Sequence, residues 1–200
     1  MKNCPQKGNP FIFKAIRGLA AIILPLFFTI EVIGTKNIPQ RGGFILLSKH
    51  QRWEDVPLLG LAIPNLLYFI AKHELFLNPA FKYVLHSLGG IPLNREIPLK
   101  SREELNWMLK LLSEGQRVVI FPEGTYFRNR MGKGKIGLIR MILSREMVRF
   151  LPVGISYKRE GFRTNVKITI GRSEYGDSSS DPELFFRNIM EEIGQLSGLS

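Results

Sequence analysis

Polar and apolar positions change their period along this chain. From Gly18 to Ile30 thirteen residues, GLAAIILPLFFTI, carry no charge, with Lys14 and Arg17 before them and Glu31 after. A membrane-spanning helix needs about 20 apolar residues, so the run suits a core helix, a signal-type segment or a helix lying in a membrane interface. The following EVIGTK offers only Val32-Ile33-Gly34 as a weak cleavage site, which disfavours a removed leader. Pro39-Gln40-Arg41-Gly42-Gly43 then signals a turn, and beyond it short β-rich runs alternate with stretches of helical period. Strands are predicted at roughly Gly43–Ser48, Leu66–Ala71, Gly90–Leu93, Arg117–Phe121, Phe150–Tyr157 and Asn165–Gly171. Several are unbroken apolar runs, as strands buried on both faces should be.

Two helices are marked by their ends. Ser101-Arg102-Glu103-Glu104 is a capping box, after which Leu105, Met108, Leu109 and Leu112 form a stripe that stops at Gly115. Asp181-Pro182 opens the last helix, with Leu184, Phe185, Ile189 and Ile193 as its apolar face. No internal repeat or second-domain linker interrupts this alternation, which predicts one α/β domain over residues 41–200 behind an N-terminal arm of residues 1–40.

Composition narrows the partners. Two hundred residues, 44% hydrophobic and 22% charged, suit one globular domain with a core of its own. Twenty-eight Lys and Arg against 17 Asp and Glu leave a net charge of +11, which favours polyanions: nucleic acid, acidic lipid headgroups or phosphorylated metabolites. Lys2, Lys7, Lys14 and Arg17 stand beside Phe11, Phe13, Phe27 and Phe28, a pattern for an arm lying in an anionic membrane surface, the alternative being a helix packed on the domain's own core. The aromatics gather there and do not interleave with the basic loop further on, and no nucleic-acid motif is found, so nucleic acid is not expected as a partner. Cys4 is the sole cysteine, which excludes an intrachain disulfide.

The candidate chemistry lies at polar corners between buried runs. In SKHQRWED, His50 and Asp55 are spaced so that a histidine at a strand end meets a carboxylate from the next helix. Such a carboxylate fixes the imidazole tautomer and leaves the second nitrogen as a general base; the bland alternative is a helix-capping Asp beside a surface His. A second corner, FPEGT, places Glu123, Gly124 and Thr125 after a strand and before a loop holding Arg128, Arg130, Lys133 and Lys135. In a third, GGIPLNR, Arg95 is placed either to fork onto a phosphate or to make a surface ion pair. His50, His73, His86 and Cys4 show no close ligand spacing, so no metal is expected, and His73 and His86 read as structural. A serine hydrolase is disfavoured because no Gly-x-Ser-x-Gly elbow is present.

Taken in order, His-x4-Asp, GGIPLNR, FPEGT and the LPVGISY of Leu151–Tyr157 resemble the four blocks of the glycerolipid acyltransferase family, specifically bacterial lysophosphatidic acid acyltransferases, over roughly Gly42 to Gly171. The resemblance implies an α/β fold with a mixed, largely parallel sheet flanked by helices. It implies acyl transfer from acyl-CoA or acyl carrier protein to the free hydroxyl of lysophosphatidic acid, giving phosphatidic acid in phospholipid biosynthesis, with no cofactor. His50 would be the general base and Asp55 its orienting partner; Arg95, Glu123, Gly124 and Thr125 would bind the acceptor's glycerol phosphate. Tyr126 stands where the family commonly has arginine, which leaves Arg128 and Lys135 as candidate phosphate contacts and another lysophospholipid as the alternative acceptor. Family members usually dock an N-terminal hydrophobic element on the membrane; here Asn9 to Gly34 would supply it, as two short helices or one kinked at Pro25, at the cytoplasmic face of the inner membrane. A non-catalytic basic membrane-binding module is the reading from a different class.

Overall fold

The computed structural model describes residues 7–63, 65–93 and 102–199. The apolar N-terminal run forms one helix, α1 (Pro10–Phe27). The Asn9 side chain caps it by accepting from the Phe11 and Ile12 amides, and Pro10 occupies the first turn, where no amide is needed. It passes through Pro25 without breaking and ends where Phe28 takes up extended backbone. Only Phe13 and Leu24 of α1 are buried, while Phe11, Leu19, Ile22, Leu26 and Phe27 stand more than half exposed.

The expected helical arm is shorter than residues 9–34, because Phe28–Ile33 is a strand, β1. Phe28, Ile30 and Val32 point inward and Thr29, Glu31 and Ile33 outward; the alternation and the β-branched residues favour a half-buried edge strand. β1 pairs in parallel with β7 (Arg163–Ile170).

The other strands are β2 (Phe44–Ser48), β3 (Leu67–Lys72), β4 (Gly90–Leu93), β5 (Arg117–Ile120), β6 (Val148–Glu160) and β8 (Glu174–Gly176). They form an eight-stranded sheet in the order β1-β7-β6-β2-β5-β3-β4, with β8 also on β6. Pairing is parallel except where β6 meets β7 and β8, so the sheet is mixed and largely parallel. β6 is longer than the predicted Phe150–Tyr157, since it pairs with β2 over Phe150–Val153 and continues past the end of β2 along β7.

Helices cover both faces. α4 (Arg102–Ser113), α5 (Gly137–Leu143) and α6 (Pro182–Leu196) pack Leu105, Met108, Ile139, Ile142, Phe186, Ile189 and Ile193 on Ile45, Leu47, Val118, Ile120 and Phe150. On the other face α1 and α2 (Asp55–Ala62) lie with Phe44, Leu46, Val119, Leu151, Val153 and Ile155. Successive residues of β2 and β5 therefore enter opposite cores, which explains their unbroken apolar runs. The α6 face is rotated from its predicted position: Phe186 is buried and Leu184 is exposed. The capping serine predicted for α4, Ser101, lies outside the described residues. α3 (Pro79–Ser87) precedes β4 and carries the exposed Phe81, Tyr83 and Val84.

Candidate active site

β2 and β5 are neighbours, so their C-terminal ends deliver the two central polar corners to one edge of the sheet. His50 follows β2 by two residues, and Asp55 opens α2. The Asp55 carboxylate is fully buried. Its Oδ2 accepts from His50 Nδ1 at 2.9 Å and from the Gln51 and Arg52 amides at 2.6 and 2.8 Å. Its Oδ1 accepts from the Tyr157 hydroxyl. Burial first, then the Asp55 charge, pushes the Tyr157 phenol far above its usual range, so this hydroxyl keeps its proton.

With the proton of Nδ1 committed to the carboxylate, Nε2 is the basic ring nitrogen. The imidazole stacks on Phe121 at 3.7 Å between ring centroids and 14° between planes, and Tyr126 tilts against it at 4.4 Å. Burial, followed by the charges of Asp55 and Glu54, raises the Tyr126 phenol above its usual range as well. His50 lines a cavity of about 340 Å³ whose other walls include Val56, Phe69, Leu75, Leu85, Phe121, Gly124, Thr125 and Tyr126. Predominantly apolar walls, with the His50 imidazole and Lys72 as the basic groups among them, suit the attack of a hydroxyl on a carbonyl attached to a hydrocarbon chain.

Gly124 and Thr125 thus lie beside His50, whereas Glu123, Arg128 and Lys135, also expected at the acceptor site, are dispersed. Gly124 holds φ +71° in the turn closed by its amide on the Phe121 carbonyl at 3.0 Å, a conformation that disfavours a side chain. Lys135 lines an adjoining cavity of about 170 Å³ that shares Ile70, Phe121 and Gly124 with the first. Arg128 is exposed on the loop, and Arg95 lies outside the described residues. Glu123 is buried and does not line the cavity; its carboxylate binds Lys49. Among the described residues no three His, Cys, Asp or Glu side chains come together as a metal site.

Three supporting residues were not singled out by the sequence reading. Lys49 reads as a surface cation beside His50, yet it is fully buried, and desolvation pushes its ammonium below the usual lysine range against the pull of Glu123. Gln51 joins three segments, donating from Nε2 to the Ile155 carbonyl at 2.6 Å and accepting at Oε1 from the Asn129 amide at 2.7 Å. Tyr157 sits on the part of β6 that extends past β2, which is how its hydroxyl reaches α2; the only hint in the sequence was the aromatic ending LPVGISY.

The sequence profile named Acyltransferase matches residues 29–156, well over half of the chain. The chain belongs to the acyltransferase family. The chain is 35% identical over 115 residues to the 1-acyl-sn-glycerol-3-phosphate acyltransferase of Bacillus subtilis, a match covering 57% of each chain. It is 29% identical over 143 residues to the lyso-ornithine lipid O-acyltransferase of Pseudomonas aeruginosa, covering 72% of this chain and 53% of that one. The chain thus spans a little over half the length of these curated relatives. In fold it resembles the crystal structure of the 1-acyl-sn-glycerophosphate (LPA) acyltransferase, PlsC, from Thermotoga maritima, with a TM-score of 0.70 and 22% identity over 93% of this chain and 80% of that one.

Proposed function

We propose that the protein transfers a fatty acyl group from acyl-CoA or acyl carrier protein to the free hydroxyl of lysophosphatidic acid, forming phosphatidic acid for phospholipid synthesis. The observation that carries this reading is His50, with Nδ1 on a buried carboxylate, in an apolar cavity. The relatives named 1-acyl-sn-glycerol-3-phosphate acyltransferase support it. Nε2 takes the hydroxyl proton as the oxygen attacks the thioester carbonyl, and Asp55 stabilises the imidazolium. Collapse of the tetrahedral intermediate breaks the carbon–sulfur bond; the departing thiolate takes the proton from Nε2 and leaves as the free thiol. Gly124 and Thr125 belong to the acceptor wall; Lys72, on the His50 cavity, and Lys135, on the adjoining one, are the cations at hand for a phosphate, with Arg128 further out on the exposed loop. α1, with a mean hydropathy of 1.7 over Pro10–Phe27, holds the chain by its exposed apolar side in an anionic membrane surface at the cytoplasmic face of the inner membrane.

A second acceptor is favoured by one observation. Tyr126, at the position where the family commonly has arginine, packs on His50, and a relative is named for lyso-ornithine lipid. The deciding experiment offers radiolabelled oleoyl-CoA or oleoyl carrier protein with lysophosphatidic acid, lyso-ornithine lipid and neutral lysolipids, beside His50→Ala. His50-dependent phosphatidic acid supports the first reading, and transfer to another lysolipid alone moves the acceptor. No transfer from either donor leaves a membrane-binding module.

A further inference from the structure

The loop after β5 is bound to the catalytic corner around a buried cation, Lys49. Lys49 Nζ donates to Glu123 Oε1 and Oε2 at 2.9 and 2.6 Å and to the Phe127 carbonyl at 2.8 Å. Around it the Phe127 amide donates to the His50 carbonyl at 3.0 Å and the Asn129 amide to Gln51 Oε1 at 2.7 Å. Glu123 also accepts from the His50 amide at 3.3 Å and from the Gly132 amide at 2.5 Å. An ionised carboxylate has only acceptors to offer, and these four contacts leave the buried Glu123 group, 2% exposed, turned away from the cavity that His50 lines.

We infer that Lys49 and Glu123 form an internal clamp that fixes the 123–132 loop against His50, so that Glu123 is a positioning residue and not a contact to the acceptor. The inference rests on the acyl-transfer reading and changes the role expected for this glutamate within it. A buried ion pair contributes little net stability compared with apolar residues, because both charges must leave water, but breaking it leaves an uncompensated charge inside. Its use here is register: it sets how far Thr125 and Tyr126 stand from the His50 ring. Displacement of catalytic groups by about 1 Å costs about 10²-fold in rate.

The test compares Glu123→Gln, Lys49→Met and the double variant. A clamp lowers kcat by about 10²-fold in each single variant with the lysolipid KM nearly unchanged, and the double variant is no worse than the poorer single one because the pair acts as a unit. Hydrogen exchange at the Phe127, Asn129 and Gly132 amides accelerates about tenfold or more as the loop loosens. The inference is overturned if Glu123→Gln raises the lysolipid KM tenfold while those amides exchange as in the wild type, since that is the signature of a substrate contact. If the wild-type protein transfers no acyl group, the functional reading fails, and hydrogen exchange alone still decides the clamp. Should Lys49→Met not fold, Glu123→Gln, which keeps the side-chain volume, is judged by the same two readouts.

Discussion

Replacing Asp55 with Asn isolates the charge of the carboxylate from its geometry. Oδ2 takes three donors, His50 Nδ1, the Gln51 amide and the Arg52 amide, and Oδ1 takes the Tyr157 hydroxyl. With the amide oxygen in the Oδ2 position the first three bonds survive; the amide nitrogen then faces Tyr157, whose hydroxyl can rotate to accept. What disappears is the attraction between imidazolium and carboxylate. For charge centres about 4 Å apart at an effective dielectric constant of about 20, that attraction is about 4 kcal/mol, close to 10³-fold in rate. Asp55→Asn should therefore lower kcat by about 10³-fold while the protein melts within a few degrees of the wild type. The assay is the initial rate of radiolabelled acyl transfer at saturating lysolipid, beside circular-dichroism melting curves. A fall of less than tenfold in a variant with unchanged melting would refute the reasoning and reduce Asp55 to a cap on α2.

Three other outcomes follow from the packing. Tyr157→Phe removes one hydrogen bond to a buried charged group and should lower unfolding stability in urea by about 1.5–3 kcal/mol, with a smaller loss of activity than Asp55→Asn because every bond to Oδ2 remains. Leu19→Ser, Ile22→Ser and Leu26→Ser together alter only exposed positions of α1, so the melting temperature should hold while vesicle co-sedimentation falls at least 100-fold, each large apolar side chain being worth about 1.5–3 kcal/mol on burial; undiminished binding would mean that α1 is not the membrane contact. Gly124→Ala puts a side chain at φ +71° and should destabilise the fold by about 1–2 kcal/mol, measured by chemical denaturation.

What the sequence disclosed depended on whether the signal was local. The central strands were legible because burial on both faces leaves an unbroken apolar run, and the His50 and Asp55 pair because both partners lie in one corner. β1 was hidden by the run that precedes it: GLAAIILPLFFTI reads as one apolar block, although the outward Thr29 and Glu31 and inward Ile30 and Val32 already alternate. In α6 the succession Leu184-Phe185-Phe186 leaves the helical phase open by one residue, and packing against the sheet chose Phe186. Lys49 and Tyr157 could not be assigned, since Glu123 lies 74 positions from the first and Asp55 lies 102 from the second. A lysine between a strand and a histidine looks solvated until the fold supplies its carboxylate.

No residue separates α1 from β1: Phe27 ends the helix and Phe28 begins the strand. Arg17 moors the same helix to α2 by donating from Nε to the Gly60 carbonyl at 2.8 Å. Across the sheet Ile30 stands opposite Val166, and Val166 opposite Tyr157, whose hydroxyl rests on Asp55. One rung of the sheet thus runs from just beyond the end of the apolar helix to the carboxylate that holds His50. The apolar helix and the carboxylate that orients the imidazole are therefore parts of one continuous hydrogen-bonded framework, joined through two backbone pairings and with no loop between α1 and the sheet.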